Sequence, residues 1–321
     1  MVSVLGSFLS VVLIFISICQ TASAQENLYH IYWMKGSRNG DRLVMKQEMD
    51  GQMNVGEPEL AHSWAPRRLS YMIKNIQDPG RPYLILSNED QTTHSVISLF
   101  SESKEILIDE ILIGEKSSFI ACDNNSLYYT KKLENSKWYL VRNDGKNETL
   151  LYEYEVEGGG LYASTRGLYD NGVFSFSAKM KTTEEETAIF YCTEFGKAQY
   201  IDKGTFQFWI SNYELGYVKG EQVWHYNILT DKAEQMKNEK GDPILVPKEI
   251  IHNQTIWNTP KISCSADGAF IAYIVYEPGQ LLFWKSPDYP RWKLHVTSLV
   301  TGETVIVQKG DGVIDDDYEI F

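Results

Sequence analysis

The chain has 321 residues, of which 30 are Lys or Arg and 43 are Asp or Glu, for a formal net charge of -13. An acidic excess of this size repels phosphate backbones and anionic lipid surfaces and offers no counterion release on contact, which argues against nucleic acid as a partner. The length allows one large β domain or two ordinary ones.

The N-terminus opens on an uncharged, apolar run from Leu5 to Ile18, too short to span a bilayer, and polarity rises at Gln20 and Thr21. Ala22-Ser23-Ala24-Gln25 then places small residues at the two positions a signal peptidase reads. Residues 1–24 are therefore expected to be a signal peptide cut between Ala24 and Gln25, and the product to be secreted or periplasmic. No later apolar stretch reaches the ~20 residues of a membrane helix, so no span is expected after signal removal. Cys19 leaves with the signal. Cys122, Cys192 and Cys264 remain, and an odd set allows at most one internal disulfide; buried thiols are the favoured reading. Neither C-x-x-C nor a His-paired zinc spacing is present.

From Gln25 onward, short alternating runs rich in Tyr, Phe, Trp, Ile and Val are separated by Gly, Asn, Asp and Ser, the pattern of strands and tight turns. Long stretches of 3.6-residue periodicity are missing, which argues against a parallel α/β sheet. In chain order the strand runs are His30–Met34 with Arg42–Met45, then Leu69–Ile73 with Tyr83–Leu86. Ser118–Cys122, the Asn124-Asn125 turn, Trp138–Val141 and the Asn143-Asp144-Gly145 turn follow. Gly158-Gly159-Gly160 reads as a flexible connector, since no Lys-Ser/Thr or helix follows it. Gly172–Ser177 pairs in style with Ala188–Cys192, and Phe206–Ile210 with Leu215–Val218 and Gln222–Tyr226. Lys232–Lys240 reads as a charged loop.

The final unit is the clearest. Ile262–Tyr276 carries a turn at Asp267-Gly268 ahead of an alternating strand, Lys293–Leu299 is a second strand, and Val300–Thr304 is the turn out of it. Asp can bond its own backbone and Gly tolerates positive φ, so the pair makes the tight turn. About six units of roughly 45 to 50 residues result, a spacing suited to propeller blades. Residues 25–310 are thus expected to form an all-β propeller, six blades of four-stranded antiparallel sheet, with 311–321 as an acidic tail or closing strand. A large β-sandwich, or a pair of them, is the alternative that the same strands allow.

The pattern S-x-D-G-x-x-I-A-Y at Ser265–Tyr273, followed by L-x-V-x-x-L-x-T-G-E at Leu294–Glu303, resembles the blade motif of TolB-like and related WD40-like six-bladed propellers. The resemblance implies the architecture. TolB-like proteins are periplasmic and bear an additional N-terminal domain, which is not expected here because strand patterning begins at Gln25. Their partnership with the peptidoglycan-associated lipoprotein is therefore not carried over.

No G-x-S-x-G nucleophile motif occurs, so no catalytic residue is assigned. His30, His62, His94, His225, His252 and His295 are scattered and never form H-E-x-x-H, and the strand positions of His30, His225 and His295 suit structural roles. Asp315, Asp316 and Asp317 are the one dense group of hard oxygen donors and the candidate for Ca²⁺, although the ligand order of a calcium loop is missing. Trp64, Trp257, Trp284 and Trp292 sit beside Pro, Asn or Ser and are expected in loops, where they are candidates for ligand contact. Asn124, Asn147 and Asn253 begin N-x-[ST] sequons, possible glycosylation sites in a host that glycosylates exported proteins.

These features favour a non-catalytic propeller scaffold that binds a protein or envelope partner through its loop faces, with no cofactor. The alternative is a Ca²⁺-dependent hydrolase or lactonase with its metal in the central channel, a type of site that leaves no linear motif. A glycan-binding propeller is third, because the tryptophans show no blade-to-blade periodicity.

Overall fold

In a β-strand successive side chains face opposite sides, so a strand lying between two neighbours must be apolar at both parities. Among the described residues, the runs Ile31–Met34 and Phe270–Val275 meet that condition. A computed structural model describes residues 27–36, 42–64, 70–76, 80, 82–87, 93–99, 106–113, 117–132, 138–154, 162–166, 173–179, 187–192, 198–248, 250, 261–281, 284–311 and 318–320. Among them the strands form six antiparallel groups of four.

Blade 1 holds β1 (Leu28–Gly36), β2 (Arg42–Asp50) and β3 (Glu59–Trp64), blade 2 holds β4 (Ser70–Asn75), β5 (Pro82–Ser87), β6 (Thr93–Ser98) and β7 (Ile106–Leu112). Blade 3 is β8 (Ser117–Cys122), β9 (Leu127–Lys132), β10 (Trp138–Asn143) and β11 (Glu148–Tyr154), and blade 4 is β12 (Tyr162–Arg166), β13 (Val173–Lys179), β14 (Thr187–Cys192) and β15 (Ala198–Lys203). Blade 5 comprises β16 (Thr205–Trp209), β17 (Glu214–Lys219), β18 (Gln222–Asn227) and β19 (Lys232–Gln235). Blade 6 comprises β20 (Ser263–Cys264), β21 (Phe270–Leu281), β22 (Trp284–Ser298) and β23 (Thr304–Asp311). The last strand, β24 (Tyr318–Ile320), returns to blade 1 and pairs with β1 at Ile31–Ile320, so the innermost position of the first blade is filled from the other end of the chain.

The inner strands touch in cyclic order: β4 meets β8, β8 meets β12, β12 meets β16, β16 meets β20, β20 meets β24, and β24 meets β4. The ring is closed, a six-bladed propeller. β4 and β8 approach closely enough to pair in parallel at Lys74–Ala121 and Asn75–Cys122, which joins blades 2 and 3 into one continuous sheet.

One apolar cluster fills each seam. Between blades 6 and 1 lie Ile31, Trp33, Ile274, Trp292 and Leu294; between blades 1 and 2 lie Tyr32, Met34, Met72 and Leu84. Ile73, Ile85, Tyr129 and Val141 pack blade 2 on blade 3, and Leu140, Phe176 and Cys192 pack blade 3 on blade 4. Ile189 and Tyr191 meet Leu215 and Tyr217 between blades 4 and 5, while Val218 and Val223 meet Ile271 and Tyr273 between blades 5 and 6. Strict alternation sends Ile31 and Trp33 one way and Tyr32 and Met34 the other. Each such side chain contributes about 1.5–3 kcal/mol on burial, and among the described residues every buried apolar cluster draws on two neighbouring blades.

Two expectations are corrected. Lys232–Gln235 is not loop but the outer strand β19, paired with Trp224–Asn227. An outer strand has one free edge, where Lys and Glu are favoured because they discourage further pairing. Trp64, Trp284 and Trp292 likewise lie in strands, at the end of β3, at the start of β22 and within β22. The β21–β22 hairpin runs on to Leu281–Trp284, past Arg291 where β23 stops pairing. Among the described residues this part of the ribbon has no outer neighbour, which is why it tolerates Pro278, Pro287 and Pro290.

Candidate functional site

Each blade has two ends. The first turn, from the inner to the second strand, and the third turn lie at one end; the second turn lies at the other. The first-turn end gathers the most polar chemistry.

Near the tip of β4, after the apolar run Tyr71–Ile73, stands Lys74, with the same parity as buried Met72. Its Nζ donates to the backbone carbonyl of Cys264 on β20 and, at 2.9 Å, to that of Ile320 on β24. One ammonium from blade 2 therefore joins the inner strands of blades 6 and 1. Alongside, the Ile320 amide donates to Ser263 Oγ at 3.1 Å, and the Ile76 amide donates to the Cys122 carbonyl at 2.8 Å.

The first turn of blade 6 is held by its own side chains. Ser265 Oγ donates to Asp267 Oδ1 at 2.7 Å and accepts from the amides of Ala269 and Phe270 at 3.1 and 3.0 Å. Asp267 Oδ2 accepts from Tyr29 Oη of blade 1 at 2.7 Å. Burial would raise the Asp267 carboxyl, but the bonds from Ser265, Tyr29 and the Ala269 amide outweigh it and hold it below the ordinary range. Burial and the facing carboxylate push Tyr29 up to about 12. Gly268 has φ +75°, and a Cβ there would stand 2.7 Å from the Ile210 carbonyl of blade 5, so glycine is needed for both conformation and space.

The corresponding turn of blade 3 buries Asp123, only 5% exposed. Its Oδ1 accepts from the Asn125 amide at 2.7 Å and its Oδ2 from Tyr128 Oη at 2.9 Å, with Arg142 Nη2 at 3.7 Å. Arg142 Nε also donates to Ser126 Oγ at 2.9 Å. In the third turn of the same blade, Asp144 Oδ1 accepts from the amides of Lys146 and Asn147. These carboxylates are spent on turn geometry.

The described histidines are not brought together. His94 Nδ1 lies 3.0 Å from Ser87 Oγ across the β5–β6 hairpin, with its ring edge-on to Phe119. Ser87 is 1% exposed, which suits a hairpin clasp and leaves no approach for a substrate. His295 stacks on Tyr273, and neither of its ring nitrogens has a hydrogen-bond partner among the described residues. Burial lowers the pKa of both imidazoles, assisted at His295 by Lys293 and opposed by Glu277. Among the described residues no three His, Cys, Asp or Glu side chains stand close enough to share a metal ion.

Of the residues singled out from sequence, Trp292 is buried in the seam between blades 6 and 1, its indole against Gly310. Asn124 and Asn147 are exposed in the first and third turns of blade 3. Cys122, Cys192 and Cys264 are buried free thiols, and burial raises the Cys192 thiol to about 12. Ala24, Gln25, Gly158–Gly160, His252, Asn253, Trp257 and Asp315–Asp317 lie outside the described residues. Two features were not singled out from sequence: Lys74, whose one signal is a lysine at a buried parity, and the Ser87–His94 clasp, visible only once the hairpin register is known.

No family profile matches the chain, and no curated protein matches it. Solved structures do. TolB from Acinetobacter baumannii aligns with a TM-score of 0.55 at 14% identity, over 91% of this chain and 66% of that one, just under two thirds. An oligogalacturonate lyase from Vibrio parahaemolyticus aligns at 0.49 and 10% identity over 90% and 83% of the two chains. A puromycin hydrolase aligns at 0.49 and 12% over 89% and 53%. The TolB likeness is one of fold alone, and it agrees with the closed β-propeller described above.

Proposed function

We propose that the protein is an exported, non-catalytic propeller scaffold that binds a protein partner through its turn faces. The observation that supports this best is Lys74. A channel metal enzyme needs carboxylates and amides converging on a cation, whereas at the first-turn end of this ring a fixed ammonium is seated on inner-strand carbonyls. The ammonium occupies carbonyls that a divalent ion at that place would need as ligands.

The surrounding turns suit recognition. Asp123, Asp144 and Asp267 hold their loops in one conformation, and a rigid surface loses little entropy on docking. The net charge of -13 directs the choice towards partners that are not polyanions. Export rests on the apolar leader and the Ala24-Gln25 junction; among the described residues no helix is long and apolar enough to cross a membrane.

Photo-crosslinking in the producing cells tests the proposal. A crosslinking residue at Asn124 or Lys146, in blade 3 turns, is expected to capture one discrete protein, and the same residue at Gln308 on an outer strand is not. Equal labelling from all three positions, or turnover of an ester or lactone substrate, would overturn it.

A further inference from the structure

We propose that the inner strands form a cation seat at the first-turn end of the channel, and that Lys74 fills it as a tethered cation that locks the ring. An inner strand of a propeller turns alternate backbone carbonyls away from its own sheet, and a buried carbonyl without a donor is costly. Two such carbonyls, of Cys264 and Ile320, meet the Lys74 ammonium. They belong to strands far apart in sequence, β20 and the terminal β24, and Lys74 reaches them from blade 2.

The location matters for stability. β24 is three residues long and pairs with β1 over Ile31–Ile320, Tyr32–Glu319 and Trp33–Tyr318. So short a strand gains little from its ladder. Lys74 adds a charge-assisted contact that spans three blades, while Ser263 Oγ caps the Ile320 amide from β20. The ammonium thus links the inner strands through a cation that the chain itself supplies. Truncating the side chain leaves carbonyl oxygens around a space that a small free ammonium or alkylammonium ion fits.

The test is chemical rescue and is independent of any partner. Lys74→Ala is expected to lower the thermal midpoint by roughly 5 °C or more and to speed hydrogen exchange in 318–320 and 263–264 ahead of the other inner strands. Methylammonium chloride should restore at least half of that shift relative to tetramethylammonium chloride at equal ionic strength, and leave wild type unchanged. Lys74→Met keeps the stem without the charge and should not respond. An unaltered midpoint in Lys74→Ala, or a lowered one that methylammonium does not raise, overturns the proposal. If the alanine variant does not fold, reductive dimethylation of the wild-type chain decides. Lys74 labelled at least tenfold more slowly than Lys146 supports the seat, and equal labelling refutes it.

Discussion

The first turns of blades 3 and 6 begin alike, each leaving its inner strand through a buried cysteine, Cys122 or Cys264, and each built around a carboxylate. Their wiring differs. Asp123 binds within its own blade, to the Asn125 amide, Tyr128 and Arg142, whereas Asp267 reaches across a seam to Tyr29 of blade 1. The Ser265-Ala266-Asp267-Gly268 turn therefore closes a blade and also ties it to the next, the blade in which β1 pairs with β24. A turn motif in a propeller can serve the ring as well as the hairpin that contains it.

The largest effect that would sharpen this contrast is at glycine. Gly268→Ala strains a left-handed backbone and drives Cβ into Ile210, so a loss of about 3 kcal/mol is expected in urea unfolding. Gly145, with φ +82° and nothing within 4 Å of the place a Cβ would take, should lose only about 1 kcal/mol on the same change. Equal losses would show that the contact with blade 5 is immaterial.

Asp123→Ala and Asp267→Ala should each cost about 2 kcal/mol, since each strands donors that were bonded to a carboxylate. Their footprints should separate. Hydrogen exchange is expected to rise in 28–36 and 318–320 for Asp267→Ala, and within 117–143 for Asp123→Ala. A common footprint would erase the distinction between a seam bond and a blade bond. Tyr29→Phe comes next, at about 1.5 kcal/mol, and should be non-additive with Asp267→Asn in a double-mutant cycle.

The smallest effect is on pH dependence. His94 and His295 have folded pKa values below their unfolded ones, so the folded state favours neutral imidazole. Their contribution is fully present above the unfolded value of about 6.5 and is lost as pH falls through the depressed folded values. Asp267, also depressed but as an acid, keeps its contribution until pH falls below the ordinary carboxylate range. Denaturation midpoints between pH 7.5 and 5 should therefore decline, and His295→Gln should flatten that slope. An unchanged slope would assign the decline to other groups.

Much of the ring was legible because its rule is local. Alternation at both parities in Ile31–Met34 and Tyr139–Val141 signals strands packed on two sides, and Asp267-Gly268 followed by Ile-Ala-Tyr signals a blade. What escaped was set by neighbours distant in sequence. Trp292 looked like a loop residue because the prolines around it are tolerated only on an unflanked ribbon, and that is a property of where β23 ends. Lys232–Gln235 looked like a loop because outer strands accept charge. Lys74 meets partners 190 and 246 residues away, and no spacing rule joins them.

The most direct test of the scaffold role is the metal content of the purified protein, with thermal unfolding followed with and without a chelator. A channel seated on Lys74 should hold no stoichiometric Ca²⁺ and unfold at the same temperature in both conditions. One Ca²⁺ per chain, lost to the chelator together with several degrees of stability, would contradict the scaffold role and favour a metal-dependent enzyme.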